Sequence, residues 1–406
     1  MEKTVTEADS TSTFPEARTC PYQPPSTYRE FQQRGPLCRV EQYDGAMAWV
    51  VTRYDTARRL LADHRLSADR THPGFPLLSA RFEAVREQQP RLPLVAMDPP
   101  EHGVYRRMVL KEFTVKRVRE LRPALERIAR RFADDLVDAG PPADLVPTFA
   151  LPVPSMVICE VLGVPFDDHD FFRDVGQRMA ESADPEDIAA ARGEMVEYLD
   201  GLVTARQGEP GPGLISRLVT ERLARGELDR EDVVAMAEFL LVAGHETTAS
   251  MISLSVLTLL EHPEQLAILR SDPSAMPSAV EELLRYLSVA DLAGVRVAVD
   301  DIEVDGRLIR AGDGVIVPNA LANRDPHAFA DPDTFDIRRE ARHHVGFGFG
   351  VHQCLGQNLA RAELEIALSV LLERLPTLSL AVDDVRELPV RAATTIQGIN
   401  KLPITW

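Results

Sequence analysis

The chain is poor in cysteine and tryptophan, with 4 cysteines and 2 tryptophans among its 406 residues. The cysteines are Cys20, Cys38, Cys159 and Cys354. Their spacing fits neither a zinc-binding pattern nor the disulfide framework of a small secreted domain. Structures held together by metal or disulfide staples are therefore excluded, and a reducing cytoplasm is the predicted setting.

The chain also lacks a long apolar run at its start and an excess of positive charge. Residues 1–26 are rich in Thr, Ser, Glu and Pro, which predicts an N-terminal arm and no signal peptide or membrane anchor. The formal net charge of −18 argues against nucleic acid as a partner. No Gly/Ser-rich or Pro-rich linker follows, so residues 27–406 are predicted to form one domain.

Hydrophobic periodicity predicts a mainly α (α+β) fold with small β-sheets. The longest periodic segment runs from 229 to 261 and is apolar on all sides at its centre, which indicates a helix through the core. Alternating residues over 293–317 predict short strands. Residues 43–52 predict a hairpin around Asp44-Gly45, a favoured turn dipeptide.

The most informative segment is FGFGVHQCLG, residues 347–356, which places Cys354 after a glycine-rich loop and before an amphipathic helix. A helix N-terminus carries positive partial charge and free N–H groups, both of which lower a cysteine pKa and suit the thiolate to metal binding. Glycine lets backbone N–H groups approach the sulfur without an intervening Cβ. A lone cysteine is more often a small buried apolar residue, but this pattern favours ligation.

This segment resembles the haem-binding loop of the cytochrome P450 family. The matching positions are Phe347, Gly348, Gly350, His352, Cys354 and Gly356. The resemblance extends over residues 21–406 and is strongest to actinomycete enzymes that hydroxylate vitamin D3, sulfonylureas and statin precursors. It implies a monomeric, single-domain cytochrome P450 fold around a buried haem b, with the iron held by the Cys354 thiolate, a ligand that favours O–O cleavage.

The centre of the long predicted helix reads AGHETT. Its small residues, Ala243 and Gly244, would let a flat ligand or dioxygen lie against the helix. A mid-helix threonine can donate to the carbonyl four residues back and loosen the helix, and a neighbouring acid can then relay protons through water. Glu246 and Thr247 resemble the acid–alcohol pair of oxygen-activating P450 enzymes, with a kink or a solvated face as the alternative. Thr248 is predicted to support the pair by hydrogen bonding.

Two further sets of charged residues match the family. Glu282 and Arg285 lie three apart on one helix face and resemble the Glu-x-x-Arg core motif, with Arg339 as a third member; they imply a structural role. The haem propionates need cationic partners, although each candidate alone could be an ordinary surface residue. By resemblance, the propionate partners are His102, Arg106, Arg296 and His352.

Substrate contacts are predicted on the segments over the haem, and their apolar character is typical of ligand pockets. They come from the long irregular loop over 70–98, the AGHETT helix, the segment after Arg285 and the C-terminal turn. The predicted contacts are Leu92, Val95, Met97, Leu241, Val289, Leu292, Ala293, Val295 and Ile396. Arg70 and Arg81 could anchor a hydroxyl or carboxylate at the entrance or could face solvent, and both alternatives stay open.

Basic residues cluster over 106–119 and 338–344 despite the acidic total. In the family's fold both segments lie near the thiolate, so the resemblance predicts docking of an acidic iron–sulfur ferredoxin. A solvated face is the alternative. No G-x-G-x-x-G follows a strand, so electrons from NAD(P)H are expected to arrive from outside, through a ferredoxin reductase and the ferredoxin.

The predicted activity is hydroxylation, with O₂, of an unactivated C–H bond in a bulky apolar molecule such as a secosteroid or a statin-like polyketide. A second interpretation is a tailoring epoxidase or hydroxylase of the host's own secondary metabolism. A third is a haem protein that senses gas or only carries electrons. The Glu246–Thr247 pair argues against the third, because neither role needs proton delivery.

Overall fold

The computed structural model describes residues 14–80, 82–83, 93–165, 168–181, 184–391 and 395–406. The α-helices are α1 (Thr27–Arg34), α2 (Tyr54–Leu61), α3 (Glu101–Val109), α4 (Val115–Ala139), α5 (Pro152–Leu162), α6 (His169–Glu181), α7 (Pro185–Gly208), α8 (Gly213–Glu221), α9 (Arg230–Glu261), α10 (Pro263–Ser271), α11 (Met276–Leu287), α12 (Asn319–Asn323) and α13 (Gln357–Arg374). The strands are β1 (Leu37–Glu41), β2 (Met47–Val51), β3 (Leu66–Ser67), β4 (Ala143–Asp144), β5 (Gly294–Ala298), β6 (Ile302–Val304), β7 (Arg307–Ile309), β8 (Gly314–Val317), β9 (Ser379–Leu380) and β10 (Pro403–Thr405). The predicted mainly α architecture with small sheets is confirmed.

Helix α9 passes through the main apolar cluster, as the periodicity predicted. The Asp229 carboxylate accepts the Asp232 N–H at 2.7 Å, and the Asp232 carboxylate accepts the Asp229 N–H at 3.1 Å. This capping box satisfies two backbone donors and fixes the start of the helix. The helix then packs against α5, α7 and α13. Among the described residues, α9 is the one helix long and apolar enough to cross a membrane by length and composition, yet 72% of its most apolar window is buried inside the protein.

A five-stranded sheet in the order β1-β2-β8-β5-β3 forms the second part of the fold. Strands β1 and β2 are antiparallel, with Leu37 opposite Val51, and β2 pairs in parallel with β8. Successive side chains of a strand face opposite sides. In β5, Val295 and Val297 therefore enter one apolar cluster while Arg296 lies on the other face.

The predicted hairpin is correct in its turn and wrong in its first strand. Gly45 has φ 83° and its N–H donates to the Gln42 carbonyl at 3.0 Å, so Asp44-Gly45 does form the turn. The strand before it is β1, which ends at Glu41, rather than a strand that starts at Tyr43. The turn dipeptide was the stronger signal, because it requires a positive φ that glycine adopts without strain.

The described part of the predicted N-terminal arm packs onto the domain. Phe14 is 2% exposed, and its ring lies 6.3 Å from Tyr28 and 6.1 Å from Phe31. Arg18 forms a buried ion pair with Asp291 at 3.4 Å. The Phe14 ring thus attaches this segment to α1, and the Arg18–Asp291 ion pair attaches it to the segment after α11.

A buried ion pair fixes α11 to the segment that leads to Cys354. Arg285 donates to both carboxylate oxygens of Glu282 at 2.7 and 2.8 Å, and both side chains are 0% exposed. Arg285 also reaches the carbonyls of Asn323 and Pro332 at 2.8 Å each, and Arg339 donates to Glu282 at 3.1 Å. A buried ion pair is stabilising only when its remaining donors and acceptors are hydrogen-bonded, as they are here. This geometry supports the structural role of Glu282, Arg285 and Arg339, which stays a prediction.

Glu282→Ala should lower the free energy of unfolding by about 3–5 kcal/mol, because it leaves the Arg285 guanidinium buried without its counter-charge. Urea unfolding measures the change. The control is Glu373→Ala, which removes the exposed partner of Arg130 and should cost less than about 1 kcal/mol. A loss in Glu282→Ala as small as that of the control would contradict the structural role.

Candidate active site

Cys354 ends a tightly closed glycine-rich loop, three residues before α13. Its backbone N–H donates to the Phe347 carbonyl at 2.8 Å. Gly348 and Gly350 have φ of 69° and 76°, in the left-handed region that favours glycine. A Cβ on Gly350 would lie 2.5 Å from the Leu61 carbonyl, so the loop packs directly on the end of α2. The glycines thus fix the path of the chain toward the sulfur.

The Cys354 sulfur receives hydrogen bonds from backbone N–H groups. Those of Gly356 and Gln357, at the start of α13, donate to it. The Cys354 side chain is exposed, while desolvation by nearby protein atoms raises the pKa of the thiol. The N–H groups and the guanidiniums of Arg106 and Arg361 oppose that rise. The sequence predicted a lowered pKa. Desolvation raises the pKa here, while the backbone N–H groups at the start of α13 lower it, as predicted.

The four predicted propionate partners come together beside the cysteine loop. The ring centroids of His102 and His352 are 4.4 Å apart, and Arg106 donates to the Gln353 carbonyl at 2.6 Å. Arg296 is 7% exposed, and burial lowers its pKa to about 10. Burial, Arg296, His102 and Arg106 together lower the pKa of His352 to about 3. Groups that suppress one another's protonation in this way form a site suited to an anion.

This donor set fits a haem. Two guanidiniums and two imidazoles can hold a pair of carboxylates, and the cysteine sulfur can hold the iron. Asp98 is a carboxylate that acts on the same cluster, but it is engaged by the Ser67 hydroxyl and by the Ala68 N–H at 2.8 Å. The cationic groups therefore remain suited to the carboxylates of a ligand.

The predicted opening in the long helix is present at Thr247. Its hydroxyl donates to the Ala243 carbonyl at 2.8 Å, and both residues are partly exposed although most of α9 is buried. Gly244 also lies close to a neighbouring helix. A Cβ there would lie 3.2 Å from Ile158, so Gly244 lets α5 and α9 pack closely, and its contact with a ligand stays a prediction. Thr248 is 5% exposed, and its supporting role stays a prediction.

Glu246 pairs with an arginine that the sequence pattern did not predict. Its carboxylate accepts a hydrogen bond from Arg391 at 2.9 Å, with side chains 27% and 7% exposed respectively. Arg391 also donates to Asn400 at 2.8 Å and to the Ser250 hydroxyl at 3.4 Å. The C-terminal segment thus holds the acid of the predicted acid–alcohol pair. In the sequence, Arg391 stands out as an arginine within an otherwise apolar stretch, but this pattern does not indicate which residue it pairs with.

Some of the predicted substrate contacts are brought together. The Gln397 N–H donates to the Val289 carbonyl at 2.7 Å, which places the turn containing Ile396 beside the segment after α11. Leu241 and Val289 share the main apolar cluster. The predicted contacts that are at least partly exposed are Val95, Met97, Ala293 and Ile396.

Leu292 and Val295, two of the predicted substrate contacts, pack in an apolar cluster near the N-terminal segment. Both belong to the cluster that contains Phe14 and Phe31, at 4% and 5% exposure. Val295 faces this cluster because it alternates with Arg296, whose side chain serves the cationic site. The segment is apolar as predicted, and its contact with a substrate stays a prediction.

Arg70 turns inward rather than into solvent. Its guanidinium carbon lies 5.3 Å from the centroid of the Phe82 ring, and burial lowers its pKa. It also acts electrostatically on Arg296. This favours the first of the two alternatives for Arg70, a position at the entrance of the ligand site. Arg81 and Leu92 lie outside the described residues.

Comparison with known proteins agrees with this site. The model of the Cytochrome P450 family matches residues 182–391. Cytochrome P450 105A3 of Streptomyces carbophilus is 58% identical over 394 residues, 97% of this chain and 95% of its own. The chain belongs to the cytochrome P450 family. The Vitamin D3 dihydroxylase of Streptomyces griseolus is 57% identical to this P450 over 409 residues, covering all of both chains.

The crystal structure of cytochrome P450 MoxA from Nonomuraea recticatena matches this P450 with a TM-score of 0.93 and 46% identity, covering 97% of this chain and 98% of that one. The predicted cytochrome P450 fold is therefore confirmed. The predicted class, an O₂-dependent haem-thiolate oxidoreductase, is confirmed as well. Within the family the cofactor is a haem held by a cysteine thiolate, the group that Cys354 and the cationic cluster fit.

Combining Arg106→Ala with Arg296→Ala should speed haem loss at least about tenfold, because each removes a charge-assisted contact to a propionate. Transfer of haem to excess apomyoglobin, followed at the Soret band, measures the rate. Arg386→Ala is the control, since its exposed partner is Asp384. Equal rates of haem loss in the double variant, the control and the unmodified protein would refute the assignment.

Proposed function

We propose that this P450 hydroxylates an unactivated C–H bond of a bulky apolar small molecule, using O₂ and electrons from an external ferredoxin. One observation carries the proposal: an accessible cysteine flanked by cations lies on the loop before α13, and α13 packs against α9, which carries the partly exposed Thr247. We further propose that the protein works as a cytoplasmic monomer. When bound, the haem supplies oxygen activation and oxygen insertion.

The remaining tasks fall to side chains of this protein. Cys354 would hold the iron, while Arg106 and Arg296 would orient the propionates. The Thr247 hydroxyl would hold a proton beside the opened turn at Ala243. The Glu246 carboxylate, 27% exposed, would exchange protons between solvent and that turn. The apolar contacts would exclude water and orient the substrate. Its orientation determines which carbon is oxidised, because reactivity depends on a small difference in position.

Relatives support an apolar, polycyclic or macrocyclic substrate. Besides the vitamin D3 dihydroxylase, the Pentalenic acid synthase of Streptomyces avermitilis is 51% identical over 406 residues. The 20-oxo-5-O-mycaminosyltylactone 23-monooxygenase of Streptomyces fradiae is 45% identical over 399 residues. These names favour two candidates for this protein: hydroxylation of a secosteroid-like molecule, and tailoring of a host metabolite. Val289 and Ile396 offer apolar contacts to either.

The surface around the cysteine loop supports docking of an acidic electron carrier. Asn358 of α13 donates to the Phe113 carbonyl at 3.0 Å, which holds the segment after α3 beside the cysteine loop. Leu110, Val115 and Val351 are 43%, 53% and 52% exposed. The exposed cations in the two predicted basic segments are Arg107, Lys111, Lys116, Arg119, Arg338 and Arg342. Apolar residues among cations are typical of a protein interface.

The docking surface is smaller than the sequence predicted. Arg106 points inward to Gln353, and Arg117 pairs with Glu112 at 3.1 Å. Arg339 is tied to Glu282 and His344 is buried. Three of these side chains are engaged inside the protein and Arg117 is engaged by an ion pair, so the proposed surface rests on the exposed cations.

Thr247→Ala should lower the product formed per NADPH several-fold and release peroxide, because the proton-holding hydroxyl is lost. The substrate is chosen by its low- to high-spin shift of the Soret band, with a secosteroid and a macrolide tested in parallel. Thr258→Ala is the control, since Thr258 donates to the carbonyl four residues back on the same helix but is fully buried. Full coupling in Thr247→Ala would refute the role.

The double charge reversal Arg107→Glu and Lys116→Glu should slow reduction by ferredoxin on the order of tenfold at low salt, with the difference shrinking as salt rises. Stopped-flow formation of the reduced carbonyl complex measures the rate. Substrate-induced spin shifts should be unchanged. Arg225→Glu with Arg270→Glu, two exposed arginines on other segments, is the matched control. Equal reduction rates in both double variants would refute the proposed docking surface.

A further inference from the structure

Glu281 lies one residue before the Glu282–Arg285 pair and forms a separate buried network. Its carboxylate is 5% exposed and accepts from Arg361 Nε at 2.7 Å and Nη2 at 3.3 Å, and from His344 Nε2 at 3.1 Å. Burial raises the pKa of Glu281, but these hydrogen bonds outweigh it and hold the pKa at about 2. Glu281 is therefore a permanent negative charge on α11.

His344 joins this charge to the start of the cysteine loop. Its Nδ1 accepts the Gly346 N–H at 2.9 Å, so its proton lies on Nε2, the atom that faces Glu281. A Cβ on Gly346 would lie 2.9 Å from the Leu284 carbonyl. Only glycine allows the loop to approach α11 this closely. The residue that follows is Phe347, whose carbonyl accepts the Cys354 N–H.

Arg361 joins the same charge to the other end of the loop. It lies on α13, and its guanidinium carbon is 4.6 Å from the Phe347 ring centroid, a cation–π contact. It also donates to the Gln357 side chain at 3.1 Å, and the Gln357 N–H donates to the Cys354 sulfur. The positive charge of Arg361 acts on that sulfur as well. One carboxylate thus holds both ends of the loop.

We propose that Glu281 is a positioning residue that sets the electron density on the Cys354 thiolate. By holding Arg361 over Phe347 and His344 beside Gly346, Glu281 fixes a positive charge and the loop backbone relative to the sulfur. It also balances most of that positive charge. The proposal rests on the proposed function, because it presumes that Cys354 holds the haem iron.

The test is Glu281→Gln, which keeps the size of the side chain and removes its charge. The Arg361 charge is then unbalanced, so the reduced iron is favoured and the reduction potential shifts upward in a spectroelectrochemical titration. The loop is also held less firmly. On warming, the long-wavelength Soret band of the thiolate-ligated carbonyl complex should convert to the thiol-ligated band several-fold faster. Glu281→Asp should restore part of both properties.

Two further variants keep the test decisive. Arg361→Lys retains the charge but loses the planar stack, so it should speed the conversion of the carbonyl band with a much smaller shift in potential. It also stands in if Glu281→Gln fails to fold. Glu373→Gln is the control, because it removes the same charge from an exposed carboxylate of α13 that is paired with Arg130 of α4.

The outcomes separate this proposal from the proposed function. If the unmodified protein lacks the thiolate-ligated carbonyl band, the proposed function fails. If it has that band, and Glu281→Gln matches Glu373→Gln in potential and band conversion, the role of Glu281 is overturned. Should Glu281→Gln not fold, an Arg361→Lys variant that converts no faster than the control overturns it instead.

Discussion

The buried pair between Glu282 and Arg285 is the interaction on which the site depends. Arg285 donates to two carbonyls of the chain that leads to the cysteine loop, and Arg339 donates to Glu282 to complete the network. Because a buried charge without its partner costs several kcal/mol, this chain segment has one stable path. The position of the Cys354 sulfur between α11 and α13 follows from that path. Glu281, the residue before Glu282, is a second buried carboxylate with cationic and histidine partners, and its partners lie at the two ends of the cysteine loop.

Burial divides the cations of an acidic protein into two functional sets. The net charge is −18, yet arginines concentrate around the cysteine loop. Arg106 and Arg296 are withdrawn from water and have lowered pKa values, the condition under which a ligand carboxylate is bound strongly. Arg107 and Lys116 remain exposed, and we propose that their charge steers a partner in a salt-dependent way. Depth below the surface thus separates the cations proposed for cofactor binding from those proposed for docking.

The sequence was sufficient where the chemistry is local and failed where partners are distant. The Thr247 bond to Ala243 spans one helical turn, and the Gly45 turn spans two residues, so period and residue type predicted both. Arg391 is 145 residues from Glu246 and Arg361 is 80 residues from Glu281. No periodicity relates such pairs, and only the packing of α9, α11 and α13 brings them together. The alternation of Val295 and Arg296 in β5 was likewise visible in the sequence, but which face packs in the apolar cluster was not.

The most direct test of the account is a turnover with isotopically labelled O₂, using the compound that gives the largest low- to high-spin shift, with ferredoxin, reductase and NADPH supplied. Mass spectrometry of the product locates the label. The account predicts one labelled oxygen atom in the product, and none when the label is in water instead. Product oxygen derived from water, or oxidation without oxygen incorporation, would contradict the assignment of this site to oxygen insertion.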